Sequence, residues 1–160
     1  MKPTTIRLLG VLAVLGAAGG WAVVVILQGW SGRALPIPVL AGSALWLLGV
    51  AFIIWGSVVG PRLQSRSDPT ANPGVEPLPG LVAARVAAIS MAASRVGAFV
   101  AGIYTGLGLA TIAGGLSTPA STQAFWASLL AASGAAVTCV AAVRLEHRCL
   151  LPSGAENDDE

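Results

Sequence analysis

Four long apolar runs, free of charge and of proline, constrain this chain more than any other feature. They cover residues 8–27, 39–59, 96–116 and 124–143, and each has 20 or 21 residues. At about 1.5 Å per residue, such a run forms roughly 30 Å of helix, the thickness of a bilayer's hydrocarbon core. Lipid offers no hydrogen-bond partner to a bare backbone, so each run must be helical. The sequence therefore predicts an all-α, polytopic membrane protein with four transmembrane helices.

The composition supports a single membrane domain over residues 1–160. The chain is 55% hydrophobic and only 10% charged, whereas charged residues make up about 25% of ordinary soluble domains. The segments between the four runs are too short and too rich in turn residues to form a second folded domain. The net charge is +2, but no basic run with interleaved aromatic residues lies outside the spans, so nucleic acid is not expected as a partner.

The distribution of cations predicts how the chain threads the membrane. Arginine and lysine in short loops stay on the cytoplasmic side. Eight of the nine cations lie before span one, between spans two and three, or after span four. Only Arg33 lies elsewhere, between spans one and two. Both termini are therefore expected in the cytoplasm of a bacterial cell. The expected contacts to anionic lipid headgroups are Arg7, Arg62, Arg66, Arg85, Arg95, Arg144 and Arg148.

The connections predict two antiparallel helical hairpins, because residues 28–38 and 117–123 are too short to separate the helices that they join. A cytoplasmic linker with five prolines is expected at residues 60–80, and a disordered acidic tail at 152–160. A cleaved signal peptide is the alternative for the start of the chain. The first apolar run continues to Leu27, longer than the 7–15 residues of a signal core, which favours a retained anchor.

The third helix is longer than a bilayer requires. Residues 81–116 lack proline and could form one helix of about 54 Å. Either residues 81–95 project from the membrane or lie along its surface as an interfacial extension, or the helix sits deeper and draws Arg95 into hydrocarbon. An arginine at mid-membrane costs about 2.5–3.5 kcal/mol, and snorkelling lowers that cost. We therefore expect Arg95 at the inner boundary.

The third helix also carries a row of small residues at every fourth position. Such a row lets another backbone approach closely, which drives helix association in lipid. Span three is therefore predicted to be the central packing helix, either within the chain or against a second copy. The row consists of Ser90, Ser94, Ala98, Gly102, Gly106, Ala110 and Gly114.

The sequence offers no pattern typical of catalysis or of metal binding. The spans contain no acid, and the single histidine, His147, lies on the cytoplasmic flank. One histidine with the separated Cys139 and Cys149 cannot supply four zinc ligands. We expect no catalytic, cofactor-binding or metal-binding residue and no enzymatic activity.

A non-enzymatic scaffold or accessory subunit of the plasma membrane is the favoured interpretation. Its expected partners are a bilayer with anionic headgroups and either a second copy or another membrane protein. The alternative is a small transporter or lipid-binding protein. Its cavity would lie between the two hairpins, and a continuous polar-lined cavity containing Tyr104 and Thr105 would favour it, whereas a dry, filled bundle would exclude it.

Three short motifs resemble a known family. They are Met1-Lys2-Pro3-Thr4 at the start, the alanine-rich helix with Arg85 and Ser94, and Leu145-Glu146-x-x-Cys149 followed by Pro152. Together the motifs are similar to the actinobacterial membrane-protein family called domain of unknown function 3180. The resemblance implies a small four-helix plasma-membrane protein without an established activity and without assigned catalytic residues.

Overall fold

The fold consists of four long helices. The computed structural model describes residues 6–31, 39–67 and 79–149, and these contain no strand. The helices are α1 (Ile6–Ser31), α2 (Val39–Ser67), α3 (Gly80–Ala113) and α4 (Pro119–Cys149). All four are long and apolar enough to cross a membrane. The predicted all-α fold with four candidate spans is confirmed.

Helix α2 extends beyond the predicted span. It continues through Pro61 to Ser67, so the first part of the expected linker at 60–80 is helical. Pro61 cannot donate a backbone hydrogen bond, but α2 packs on its neighbours through Trp55 and Val59 just before that point. The remainder of the linker, residues 68–78, and the expected tail at 152–160 lie outside the described residues.

Local chemistry explains where α3 ends and α4 begins. Gly115 follows α3 with a φ of 88°, the left-handed conformation that favours glycine after a helix. Thr118 then caps α4, because its hydroxyl accepts a hydrogen bond from the Ser121 N–H at 3.2 Å and its own N–H donates to the Ser121 hydroxyl at 3.2 Å. Pro119 occupies the first helical position, where a missing N–H costs nothing. Helix α4 therefore begins before residue 124, the predicted start of the span.

The predicted extension at residues 81–95 is the first part of α3 and is continuous with the rest of the helix. It is packed against other helices. Val86 is 3% exposed and forms a cluster with Leu145 of α4, joined by Trp55 and Val59 of α2. The first turns of α3 are therefore supported by the last turns of α2 and α4.

The helices pack in the order α1–α3–α4–α2. Helix α1 runs parallel to α3, since Gly102 faces Ala13 and Gly106 faces Ala17. Helix α3 runs antiparallel to α4, as Gly97 faces Cys139 while Gly108 faces Ser128. Helix α2 runs parallel to α4, with contacts from Gly42 to Leu130, from Gly49 to Thr138 and from Gly56 to Leu145.

Helices α3 and α4 pack antiparallel, as expected for the second hairpin, whereas the described parts of α1 and α2 do not pack as the expected first hairpin. Among the described residues, α1 has its extensive interface with α3 and α2 has its extensive interface with α4, whereas α1 and α2 do not form one with each other. A short connection brings two helix ends together, but it does not determine which faces pack. The faces that carry small residues determine the partners here.

Small side chains dominate the contacts between the helices. Among the described residues, the largest side chains that are less than 2% exposed are three serines, Ser90, Ser94 and Ser128. Large apolar side chains point outward, and Leu40 is 80% exposed and Leu47 72% exposed. Exposed apolar surface of this extent is unfavourable in water but is ordinary for helices surrounded by lipid.

Candidate functional site

The small-residue row of α3 lies mostly inside the molecule. Ser90, Ser94, Ala98, Gly102, Gly106 and Ala110 are buried, whereas Gly114 is exposed. A position repeated every four residues turns by about 40° per step around a helix of 3.6 residues per turn. The row therefore faces α4 at Ser94 and α1 at Gly102. This drift allows one row to serve two neighbouring helices.

The contact between α1 and α3 is made by glycines on both sides. A Cβ atom added to Gly102 or Gly106 would clash with the backbone of Ala13 or Ala17. A Cβ atom added to Gly16 would clash with the Phe99 carbonyl oxygen and lie 3.0 Å from the Ile103 nitrogen. Each helix thus presents a pair of small residues four positions apart, the spacing that lets helix backbones touch in membranes.

The contact between α3 and α4 centres on Cys139, which the structure records as a free cysteine. Its thiol donates a hydrogen bond of 3.3 Å to the Ser94 carbonyl oxygen, and its Cβ faces Gly97. Cys139 therefore acts as a small packing residue in this interface. Cys149 is the last residue of α4, and its side chain lies outside the described part of the chain.

The contact between α2 and α4 uses glycines that the sequence analysis did not single out. A Cβ atom added to Gly42 or to Gly49 would lie 3.1 Å from the nearest side-chain atom of α4. Trp46, on the same face of α2, donates a hydrogen bond of 3.2 Å from its indole nitrogen to the Ser133 hydroxyl. Gly42, Gly49 and Gly56 recur every seven residues, and this heptad spacing is the signal that identifies the face.

The serine hydroxyls in these contacts are satisfied within their own helices. Ser90 donates to the Ala87 carbonyl at 2.9 Å and Ser94 donates to the Met91 carbonyl at 3.0 Å. Ser128 donates to the Ala124 carbonyl at 2.8 Å. These serines therefore contribute their small volume to the interfaces, and their hydroxyls do not join one helix to another.

Five exposed arginines lie at one end of the helix array, which we call the arginine end. The directions of the helices bring the starts of α1 and α3 to the same end as the last turns of α2 and α4. Arg66 and Arg148 belong to those last turns, but their side chains lie outside the described residues, as does the side chain of His147. The exposed members are Arg7, Arg62, Arg85, Arg95 and Arg144.

The arginines lie at different depths along the array. Gly102 of α3 faces Ala13 of the parallel helix α1. Seven residues earlier on each helix, Arg95 therefore lies at the same height along the array as Ile6, next to Arg7. Arg85 is a further ten residues toward the arginine end, about 15 Å along the helix axis. The polar layer of one leaflet is only about 5–8 Å thick. Arg85 and Arg95 therefore cannot have their backbones in the same headgroup layer.

Glu146 is buried near the arginine end, although in the sequence it lies just after the fourth apolar run. It is 3% exposed, so the side chain lies between the packed helices.

Within the described ranges, no three His, Cys, Asp or Glu side chains come close enough to hold a metal ion.

A groove of about 440 Å³ lies between α2 and α4. Its lining includes Phe52, Ile53 and Gly56 of α2 together with Val140 and Arg144 of α4. Tyr104 and Thr105, whose presence in a cavity would favour the transporter interpretation, do not line it. The Thr105 hydroxyl donates to the Ala101 carbonyl of its own helix at 2.7 Å.

Comparison with known proteins gives one result. No curated protein and no solved structure matches the chain. A family model described as protein of unknown function (DUF3180) matches residues 9–153, which include most of α1, all of α2 and α3, and all of α4. With four apolar helices packed through small residues and matched over almost its whole length, the chain belongs to the DUF3180 family of proteins of unknown function.

Proposed function

We propose that this protein is a non-enzymatic scaffold or accessory subunit of the bacterial plasma membrane, with both termini in the cytoplasm. The observation that carries the proposed orientation is the gathering of all five described, exposed arginines toward one end of the array. Positively charged residues near short loops favour the cytoplasmic face during insertion. The arginine end is accordingly the cytoplasmic end.

Three of these arginines are the proposed contacts to anionic headgroups: Arg7, Arg95 and Arg144. Arg7 and Arg95 lie at nearly the same height along the array. Arg144 lies only slightly nearer the arginine end, because Cys139 of the antiparallel helix α4 faces Gly97 of α3. Each cation near an anionic surface contributes about 1 kcal/mol. Arg62 and Arg85 then extend beyond the headgroups into the cytoplasm.

Reporter fusions test the proposed orientation. A reporter that fluoresces only in the cytoplasm, fused to either terminus, should be active at both. The same reporter inserted at Gly115, in the turn between α3 and α4, should be inactive, while a reporter active only outside the cytoplasm should work there. Termini on opposite faces, or an active cytoplasmic reporter at Gly115, would contradict the proposal.

The outer surface of the array supports a role in association. The small-residue row of α3 is occupied by α1 and α4, so a partner must use another face. Helices α1 and α2 lie at the two ends of the packing order and expose large apolar side chains, including Val14 at 68% and Leu47 at 72%. A second copy or another membrane protein is the proposed occupant of these outer faces.

Photocrosslinking in native membranes tests the association. A photoreactive residue at Val14 or Leu47 should give a discrete product with a second protein, whose mass distinguishes a second copy from another partner. The matched control is Ala135, which is 0% exposed and should react only within the chain. If positions 14 and 47 react only with lipid, the protein has no stable partner there and the scaffold role fails.

A further inference from the structure

The groove between α2 and α4 opens toward the surroundings of the helices. Two of its lining residues, Ile53 and Val140, are 51% and 53% exposed. From Ala136 to Arg144 the α4 side of the groove extends over about 12 Å of helix, and Arg144 lies at the arginine end. The groove therefore runs along the array with one charged end.

The space between α2 and α4 is larger at Gly56 than one heptad earlier at Gly49. Where the helices are close, a Cβ atom added to Gly49 would lie 3.1 Å from the Thr138 hydroxyl. One heptad later, a Cβ atom added to Gly56 would meet nothing nearer than the Leu145 Cδ1 atom at 4.0 Å. Gly56 thus leaves space that a larger residue would fill.

The chemistry of the lining fits an amphiphile. The walls are apolar, and the hydroxyl of Ser57 is already engaged, since it donates to the Ile54 carbonyl at 2.7 Å. The one charged lining residue is the exposed Arg144, whose guanidinium matches phosphate. The volume of about 440 Å³ is within the range of about 300–1,000 Å³ typical of small-molecule sites.

We propose that this groove binds an anionic phospholipid, with one acyl chain along Phe52, Ile53 and Val140 and the phosphate on Arg144. The inference depends on the arginine end lying at a membrane surface, as proposed above, but it does not depend on a protein partner. The single charged residue beside apolar walls matches a phosphate headgroup followed by an acyl chain.

Lipid retention in mild detergent tests the apolar part of the site. Native mass spectrometry of the full chain should show one bound phosphatidylglycerol. Gly56→Leu, which fills the groove, should lose this adduct while retaining the thermal unfolding temperature. Val140→Trp fills the same groove from α4 and should act alike. The control is Gly19→Leu on α1, where an added Cβ atom meets nothing within 4 Å, and this variant should retain the lipid.

Lipid titration of delipidated protein tests the charged part. Phosphatidylglycerol should bind more tightly than phosphatidylcholine with the same acyl chains. Arg144→Gln should weaken phosphatidylglycerol binding about fivefold, the loss of one surface cation. Arg85→Gln removes the same charge outside the groove and should leave the affinity unchanged.

The inference is overturned if Gly56→Leu and Val140→Trp both retain the adduct, or if the two lipids bind equally to the wild type. A partner protein that co-purifies and occupies the groove in place of lipid would overturn it as well. Failure here is distinguishable from failure of the orientation, because the reporter fusions do not depend on the groove.

Discussion

Small residues hold the helices together because their small side chains let the helix backbones approach each other closely. Glycine normally weakens a helix by about 1 kcal/mol relative to alanine. In this protein Gly16, Gly102 and Gly106 allow backbone-to-backbone contact that no larger residue permits. The favourable packing of the two backbones offsets the intrinsic cost, because lipid provides no hydrophobic effect to drive association.

Two glycines of α1, three residues apart, should respond in opposite ways to the same substitution. Gly16→Ala places a Cβ atom against the Phe99 carbonyl oxygen of α3 and should destabilise the protein by about 1–3 kcal/mol. Gly19→Ala enters open space and should be neutral or slightly stabilising. Thermal unfolding in detergent measures both changes. Equal effects of the two substitutions would show that α1 does not pack on α3 through Gly16.

The volume of Ser94 should matter more than its hydroxyl. Ser94 is 0% exposed and its hydroxyl donates only to its own helix. Ser94→Ala should therefore change the free energy of unfolding by no more than about 1 kcal/mol. Ser94→Leu should cost about 1–3 kcal/mol, because the added atoms overpack the contact with α4. The same unfolding assay compares them, and a large loss in Ser94→Ala would refute this view of the serines.

At the scale of whole helices, two different spacings produce the two outer contacts. Helices α1 and α3 use small residues four positions apart, whereas α2 uses glycines seven positions apart against α4. The first spacing is typical of closely crossing membrane helices and the second of gently supercoiled ones. The central helices α3 and α4 pack antiparallel, and each has one outer helix packed parallel to it, α1 on α3 and α2 on α4.

A single cysteine substitution tests the register of α3 against α4. The Cβ atom of a residue at position 97 would lie 3.1 Å from the Cβ atom of Cys139. Disulfides have a Cβ–Cβ separation of about 3.5–4.5 Å, so a small outward shift of one helix brings the pair into that range. Gly97→Cys in a Cys149→Ser background should therefore form an intramolecular disulfide under mild oxidation.

The control for this experiment is Gly108→Cys in the same background. Position 108 faces Ser128, so its thiol cannot reach Cys139 and should remain reactive. Thiol labelling followed by intact-mass measurement reads out both variants. A disulfide in Gly108→Cys, or none in Gly97→Cys, would contradict the register.

For the whole molecule, the packing order makes the first two helices depend on the last two. Residues 1–67 contain α1 and α2, whose extensive interfaces are with α3 and α4. Expressed alone, this fragment should be degraded in the membrane. Coexpressed with residues 68–160, it should accumulate and co-purify. The fragment 68–160 keeps the contact between α3 and α4 and should persist alone at a higher level than 1–67. Stable accumulation of 1–67 on its own would show that α1 and α2 form a hairpin after all.

The sequence by itself determined the number of helices, their apolar surroundings and the family. Run length and the absence of charge and proline are local properties, and the backbone must satisfy its hydrogen bonds within each run. The small-residue row of α3 was also visible, because its spacing follows directly from helix geometry.

Only the tertiary structure decided which helices are neighbours. A small-residue face can accept several partners, and the contacts of Gly102 with Ala13 and of Gly49 with Thr138 join residues far apart in the chain. The same holds for the alignment of the arginines and for the groove beside Gly56, which residues of two separate helices line together. Shape complementarity between distant segments selects one packing order, and no local pattern in the chain encodes it.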